Sequence, residues 1–280
     1  MTKVIKTISN DILVENICFI PTMGSLHDGH LSLVDLGKKT NLKTLVSIFL
    51  NRRQFNDIKD FENYPNQQDS DVQKLYDKGV DYIFVPEEDY IYPSSGIETV
   101  SPNEIGRVLE GYSRPGHFEG VLTVVKRLFD IIQPSYSVFG KKDAQQLFLI
   151  KNMIREFNLN IQIIEGDIVR DKNGLALSSR NNHLSSNAKL KASCIFDSLL
   201  KTAESISSIK DYEEAIKEGS KNFVKNEIVL DYLELVDTEN FKSPNKYSKK
   251  LKLLIAAYVE NIRLIAVSYT HLTLPTNREV

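Results

Sequence analysis

The sequence has only two cysteines and no tryptophan. Cys18 and Cys194 lie far apart and form no CxxC pair, which predicts a reducing compartment and no disulfide framework. No apolar run reaches the roughly 20 residues that a membrane-spanning helix needs. The first ten residues also lack the apolar segment of a secretory signal. We therefore predict a cytoplasmic protein with no membrane partner.

An excess of charge of one sign is also missing. The 35 Lys and Arg residues nearly balance the 37 Asp and Glu residues, giving a formal net charge of −2. This balance provides no long-range attraction toward nucleic acid, so no nucleic-acid partner is expected. Two common nucleotide motifs are absent as well: no GxGxxG follows the first apolar run, and GxxxxGK[ST] does not occur. Neither a dinucleotide-binding fingerprint nor a P-loop is therefore supported.

What the chain does have is a regular alternation of apolar runs and helical patterns in its first part. At 280 residues and 41% hydrophobic content, it is long enough for two domains. The alternation predicts a Rossmann-like α/β domain with a parallel sheet, over residues 1–170. Its predicted strands are Ile17–Ile20, Thr44–Leu50, Asp81–Val85, Tyr136–Gly140 and Ile161–Val169.

The pattern changes after this domain. Two helices at about 186–204 and 212–225, a strand at Leu230–Val236 and an apolar run at Leu251–Ile265 predict a smaller α+β domain over residues 171–265. Residues 266–280 (AVSYTHLTLPTNREV) share no periodicity with the strands before them. We expect them to be an anomalous tail, outside the fold.

The strongest chemical signal is PTMGSLHDGH, from Pro21 to His30. It joins an apolar strand to a helix, so His27 and His30 would lie at the carboxyl end of a strand, where α/β proteins bind ligands. The N–H groups of a helix N-terminus bind phosphate, and two imidazoles can stabilise charge that develops during transfer. The alternatives are a histidine pair on a helix surface and two ligands of a zinc site. Zinc needs three or four ligands, and the other histidines lie far away in sequence.

Further polar residues follow the other predicted strands or precede helices: Asn51, Gln54, Arg114, His117, Lys142, Asp143, Ser178, Ser179 and Arg180. A lysine in such a place meets phosphate as a point charge, and hydroxyls beside an arginine suit an oxyanion. Each group also has a plain structural interpretation, as a turn cap, a surface loop or a charged helix start. Asp69 and Asp71 likewise suit the acidic first turn of a helix.

Five segments in this order resemble the pantothenate synthetase (pantoate–β-alanine ligase) family: PTMGSLHDGH, VSIFLNRRQF, RPGHFEGVLTVVKRLFDIIQP, FGKKDAQQL and GLALSSRN. The resemblance extends from about Cys18 to Ile265. This family belongs to the HIGH-type nucleotidylyl-transfer superfamily. The resemblance implies that ATP activates pantoate as pantoyl adenylate, and that β-alanine then gives pantothenate, with release of pyrophosphate and AMP. It also implies Mg²⁺ and a homodimer.

The same resemblance implies roles for individual residues. The catalytic residues would be His27, His30, Lys142 and Arg180. ATP would contact these four and also Met23, Gly140, Asp143, Val169, Leu177, Ser178 and Ser179. Pantoate would contact Pro21, Thr22, Met23, Gln54 and Gln146. Asn51, Arg114 and His117 would support the site, and Asp71 would lie near the metal ion.

Two rival functions stay open at this point. A nucleotidylyltransferase acting on a phosphate acceptor would share the histidine pair but would never release free AMP. Gln54 and Gln146 favour the ligase over this rival, because they would make a neutral pocket for a hydroxy acid. An inactive nucleotide-binding module is the second rival, and the intact His27, His30 and Lys142 argue against it.

Overall fold

The computed structural model describes residues 1–13, 15–208, 212–224, 228–245 and 247–272. The chain divides into two units, Met1–Val169 and Arg170–Val280, one residue from the predicted boundary. The first unit contains a parallel sheet with helices, and the second a small antiparallel sheet with helices. The predicted fold class is therefore confirmed. In the described part of the chain, no helix combines the length and the apolar character that crossing a bilayer demands.

The first unit alternates strands with helices. Its strands are β1 (Lys3–Ile5), β2 (Ile17–Thr22), β3 (Lys43–Ile48), β4 (Tyr82–Phe84), β5 (Tyr136–Gly140) and β6 (Gln162–Gly166). Its helices are α1 (Asn10–Leu13), α2 (Asp28–Lys38), α3 (Ile58–Glu62), α4 (Gln68–Asp77), α5 (Glu88–Ile91), α6 (Glu110–Ser113), α7 (His117–Ile132) and α8 (Ala144–Glu156). Two 3₁₀ helices lie at Arg52–Gln54 and Ile105–Arg107.

The strands of this unit pair in the order β1-β4-β3-β2-β5-β6, all parallel. Strand β2 is buried on both faces: Ile17 and Phe19 pack in one core with α7 and α8, and Cys18 and Ile20 pack in another with α2 and α4. The strand order reverses at β2, since β3 and β4 lie on one side of it and β5 on the other. Ligands bind at such a reversal, outside the carboxyl ends of the strands. The segments after β2 and β5 lie there.

The second unit contains α9 (Ser186–Ser208), α10 (Tyr212–Val224), β7 (Val229–Asp237), β8 (Leu251–Val259), β9 (Ile262–Leu272) and a 3₁₀ helix at Ser179–His183. The three strands pair antiparallel in the order β7-β8-β9. Apolar side chains of both helices and of all three strands form one core. The alternation of buried and exposed residues along β7 explains why its strand pattern is visible in the sequence.

The apolar run from Leu251 to Ile265 is a hairpin instead of one segment. Glu260 and Asn261 have φ angles of 48° and 65°, and two consecutive positive φ angles are typical of the tight type I′ turn. The turn sends β9 back along β8, so that Ile262 pairs with Val259.

The expectation that residues 266–280 lie outside the fold is wrong for residues 266–272. These residues form the second half of β9 and pair with β8. Ala266, Val267 and Ser268 are buried. The physical reason is that β8 supplies both a ladder of backbone hydrogen bonds and an apolar surface. Residues 273–280 lie outside the described part of the chain.

Candidate active site

The loop after β2 is held by a buried carboxylate. Gly24 has a φ of 85°, which favours glycine, and a Cβ there would lie 3.1 Å from Asp71 Oδ2. Asp71 is fully buried and accepts hydrogen bonds from the backbone N–H groups of Ser25 (2.6 Å) and Leu26 (2.8 Å). Lys74 Nζ lies 3.5 Å from Asp71 Oδ1 and donates to the Leu26 carbonyl at 2.8 Å. Helix α4 therefore fixes the loop that leads into α2.

These contacts show that Asp71 holds the loop after β2 in place. They offer no support for the prediction that Asp71 lies near a metal ion. Both of its oxygens already accept from backbone N–H groups inside the protein. Among the described residues, no group of three or more His, Cys, Asp or Glu side chains could hold a metal ion. A metal ion here would therefore depend on ligands that a bound molecule supplies.

His27 and His30 form a reciprocal cap at the start of α2. His27 Nδ1 accepts from the Gly29 N–H at 3.1 Å, and His30 Nδ1 accepts from the His27 N–H at 3.3 Å. The ring centroids lie 4.0 Å apart. Because a backbone N–H only donates, both Nδ1 atoms are unprotonated, and each neutral ring carries its proton on Nε2. Both histidines therefore have an Nε2–H donor that the cap does not use.

Burial lowers the pKa of both histidines. The pKa of His27 falls to about 4, through burial first and the positive charge of Lys142 second. The pKa of His30 falls to about 3, through burial, then His27 and Lys142. Both imidazoles are neutral near pH 7, so they act as hydrogen-bond donors and not as cations.

Lys142 supplies positive charge on the other side of the strand reversal. It follows Gly140, the last residue of β5, and its Nζ lies 3.2 Å from Asp143 Oδ1. Burial tends to raise the pKa of Asp143, but the positive charge and the hydrogen bond of Lys142, with the charge of Arg114, outweigh burial and hold this pKa below its usual value. Because Lys142 also lowers the pKa of both capping histidines, its ammonium lies within electrostatic range of their rings.

A second polar cluster connects the segments after β2 and β3. Asn51 is 1% exposed, and its Nδ2 donates to Gln54 Oε1 at 3.0 Å and to the Gly120 carbonyl at 3.1 Å. Gln54 is 8% exposed, and its Nε2 lies 2.6 Å from Met23 Sδ. The amide of Gln54 therefore reaches the segment that carries the capping histidines, as the predicted pantoate contacts require.

Arg114 and His117 lie behind this cluster. His117 Nδ1 lies 2.8 Å from the Gln54 carbonyl, and its Nε2 lies 3.0 Å from Arg114 Nη1. Because a carbonyl only accepts, His117 Nδ1 donates and its Nε2 accepts from the guanidinium. A Cβ at Gly120 would lie 2.2 Å from the Arg53 carbonyl, so α7 packs directly on the 3₁₀ helix that carries Gln54. This geometry is what a supporting role for Arg114 and His117 needs.

The other three residues predicted to contact pantoate differ in whether their side chains are already hydrogen-bonded within the protein. The Thr22 hydroxyl donates to the Ser47 carbonyl at 2.6 Å and accepts from the Gly24 N–H at 3.3 Å, so it shapes the loop. Pro21 is half-buried in β2. Gln146 is half-buried in the first turn of α8, and no residue that the structure describes hydrogen-bonds to its amide. Gln146 is therefore available to a ligand.

Five predicted ATP contacts lie at or beyond the unit boundary. Val169 ends the first unit, and Leu177 to Arg180 belong to the second. All five are half-buried. Ser178 caps the 3₁₀ helix at Ser179–His183, because its Oγ accepts from the Arg180 N–H at 3.3 Å. Ser178 therefore acts as a helix cap, as its structural interpretation predicts. The ATP contacts of all five residues stay predictions.

Three residues that shape the site are not predicted from the sequence: Lys74, Tyr92 and Gln145. Gln145 is buried beside Gln146 and donates to the carbonyls of Ile105 (2.7 Å) and Val108 (2.9 Å). The Tyr92 hydroxyl donates to Asn51 Oδ1 at 2.7 Å. Neither contact has a local signal, because the partners lie 37 to 41 residues away along the chain.

The parallel sheet, the histidine pair at the start of α2 and the lysine after β5 together define an α/β protein with a candidate phosphate-binding site at the strand reversal. A family model described as pantoate-beta-alanine ligase matches residues 1–268. The chain belongs to this family, which is a family of ligases, and the predicted enzyme class is confirmed.

The chain is similar to known pantothenate synthetases, and each similarity extends over almost the whole length of both proteins. The chain is 43% identical to a pantothenate synthetase of Thermosipho africanus over 263 residues, which cover 93% of this chain and 95% of that protein. A crystal structure of pantothenate synthetase from Thermus thermophilus superposes with a TM-score of 0.88 at 32% identity, covering 98% of this chain and all of that one. A pantoate-beta-alanine ligase from Francisella tularensis, crystallised with beta-gamma ATP and beta-alanine, gives a TM-score of 0.77 at 34% identity, covering 96% and 97% of the two chains.

Proposed function

We propose that this chain condenses pantoate with β-alanine at the expense of ATP and forms pantothenate, AMP and pyrophosphate. The observation that carries the proposal is the family match over residues 1–268, together with the paired Nε2–H donors of His27 and His30 beside Lys142. The Francisella tularensis ligase was crystallised with beta-gamma ATP and beta-alanine, which supports these two classes of ligand for this chain.

In the first step, the carboxylate of pantoate attacks the α-phosphorus of ATP. An oxygen–phosphorus bond forms, the bond to pyrophosphate breaks, and pantoyl adenylate results. A carboxylate is already a nucleophile, so the step needs in-line positioning and stabilisation of phosphate charge in place of a general base. The neutral imidazoles of His27 and His30 would donate from Nε2 to phosphate oxygens, and the ammonium of Lys142 would neutralise charge.

In the second step, the amine of β-alanine attacks the acyl carbon. A carbon–nitrogen bond forms, the carbon–oxygen bond to AMP breaks, and the amine loses a proton. Gln54 and Gln146 would hold pantoate through both steps, with Met23 beside them. Arg180 and its neighbouring serines would contact the phosphates, and Gly140 and Asp143 the ribose of ATP.

Magnesium enters this proposal as part of the Mg·ATP substrate. Mg²⁺ usually keeps several waters and is bound through substrate phosphates and one or two carboxylates, so a substrate-borne ion needs no cluster of protein ligands. The cytoplasmic location and the homodimer belong to the proposal as well. Sedimentation of the purified chain would establish its oligomeric state.

The test is AMP release from Mg·ATP, with and without pantoate and β-alanine. AMP that appears only with both substrates would establish the ligase. Pantoate-dependent exchange of pyrophosphate into ATP without AMP release would show the first step with a different amine acceptor. Nucleotidyl transfer to a phosphate acceptor would favour the rival transferase, and ATP binding with neither reaction would favour the inactive module.

A further inference from the structure

We infer that Tyr92 is a positioning residue of the pantoate site, whose hydroxyl acts through Asn51 to fix the amide of Gln54 with its N–H donors toward the substrate. The inference rests on the proposed function, because it takes Gln54 as a pantoate ligand. Tyr92 follows α5 in a loop rich in proline and serine, and no role was predicted for it. The direction of each hydrogen bond between these three side chains is set by the groups around them.

The orientation of the Asn51 amide is fixed by two backbone groups. The Arg53 N–H can only donate, and it lies 3.3 Å from one end of the amide, which must therefore be Oδ1. The Gly120 carbonyl can only accept, and it lies 3.1 Å from the other end, which must be Nδ2. Asn51 is 1% exposed, so water does not compete for these positions.

The direction of the next two bonds follows from that orientation. Because Asn51 Oδ1 accepts, the Tyr92 hydroxyl, 2.7 Å away, must donate its proton to it. Because Asn51 Nδ2 donates, the atom of Gln54 that lies 3.0 Å away must be Oε1. The other end of the Gln54 amide is then Nε2, which lies on the side of Met23. One N–H of Nε2 donates to Met23 Sδ, and the other is suited to an oxygen of pantoate that accepts.

The surroundings of Tyr92 hold its ring in place and keep its hydroxyl protonated, so it donates steadily to Asn51 Oδ1. Its ring lies under the guanidinium of Arg53, with 4.0 Å from Cζ to the ring centroid, and beside the ring of Phe49. Burial raises the pKa of Tyr92 to about 12, although the charge of Arg53 opposes this rise. The hydroxyl therefore stays protonated at any working pH. Without it, Asn51 Oδ1 keeps only the longer bond from the Arg53 N–H.

The test is the variant Tyr92→Phe, which removes the hydroxyl and keeps the ring. We expect the KM for pantoate to rise roughly fivefold, the effect of one neutral hydrogen bond. The KM for ATP and kcat should change less than twofold, because the lost interaction is uniform binding of pantoate. A merely structural effect would lower the active fraction and leave the KM for pantoate unchanged.

Tyr90→Phe is the matched control. Tyr90 lies in α5, and its hydroxyl accepts from the Ile8 N–H at 3.1 Å, so this variant also loses one hydroxyl bond of the same unit. It should leave the KM for pantoate unchanged. In a Gln54→Ala background, Tyr92→Phe should add nothing to the KM for pantoate, because the chain of bonds ends at Gln54.

The outcomes separate this inference from the proposed function. A wild-type chain without pantoate-dependent turnover overturns both. An active wild type overturns the inference alone in three cases: Tyr92→Phe keeps its KM for pantoate, Tyr90→Phe raises this KM equally, or the effect of Tyr92→Phe persists in full without Gln54. A selective rise that vanishes in the Gln54→Ala background supports it.

Discussion

His27 has two tasks that a pair of substitutions can separate. Its Nδ1 caps α2 by accepting from the Gly29 N–H at 3.1 Å, and its Nε2–H is the donor proposed for ATP phosphate. In His27→Asn the side-chain oxygen replaces Nδ1, and asparagine is among the best residues at a helix N-cap. His27→Ala removes both the cap and the donor. Stability and chemistry should therefore respond differently in the two variants.

The magnitudes follow from these two bonds. Loss of an N-cap typically costs about 1 kcal/mol, so His27→Ala should lower the free energy of unfolding by about that amount, and His27→Asn by less than ~0.5 kcal/mol. A hydrogen bond to a charged group contributes about 1.5–3 kcal/mol. Both variants should therefore slow adenylate formation by roughly 10- to 100-fold.

Urea unfolding at pH 7 measures the first effect, and pantoate-dependent exchange of pyrophosphate into ATP measures the second. His27→Asn with the exchange rate of the wild type would refute the proposed donor and leave His27 only as a cap. His27→Asn as unstable as His27→Ala would refute the Nδ1 acceptor.

Acid adds a third readout for the same pair. The pKa of folded His27, about 4, lies below its ordinary value of 6.5, so below pH 6.5 the unfolded state binds the proton that the folded state excludes. The stabilisation is complete above pH 6.5 and is lost as the pH falls toward 4, by at most about 1.4 kcal/mol for each pH unit. His27→Asn should lose less stability than the wild type over this interval. Equal acid sensitivity of the two proteins would contradict the lowered pKa.

Three further predictions concern the same part of the molecule. Lys142→Ala should slow adenylate formation at least ~30-fold, about 2 kcal/mol, while the neighbouring surface variant Lys141→Ala should not; near-normal turnover of Lys142→Ala would refute its role. Asp71→Asn replaces one buried acceptor by a donor and should destabilise the fold by about 1–3 kcal/mol. The Mg²⁺ dependence of the reaction rate should stay the same, and a shifted dependence would support the metal role of Asp71. The kcat/KM for ATP should show no inflection near pH 6.5, because the pKa of His27 is about 4 and that of His30 about 3; an inflection there would show that a histidine must change charge.

The parts of the site that sequence alone predicts are contiguous in the chain. The strand β5 has the predicted bounds, Tyr136–Gly140, and Lys142 follows it as expected. The strand, glycine turn and helix start around His27 and His30 also lie within one short segment. In such segments periodicity, turn residues and caps all act over a few residues, so local rules are sufficient.

The parts that could not be predicted are contacts over long separations. Asp71 is 46 residues from Ser25, and Tyr92 is 41 residues from Asn51. Asp71 in the acidic first turn of α4 is typical of an ordinary helix start, and nothing nearby indicates that its carboxylate turns inward. Residues 266–272 show the same limit, because β8 decides that they form a strand. A single sequence does not say which distant segments meet.

The three histidines of the first unit's site show why residue type alone does not separate roles. By type and position, His27, His30 and His117 are equally good phosphate ligands. Their partners distinguish them: the first two accept through Nδ1 from backbone N–H groups and keep an Nε2–H for a ligand. His117 has the opposite tautomer, since it donates from Nδ1 to the Gln54 carbonyl and accepts at Nε2 from Arg114. Both of its nitrogens are thus engaged within the protein, so His117 supports the backbone that presents Gln54, and only the capping pair is poised to donate to phosphate.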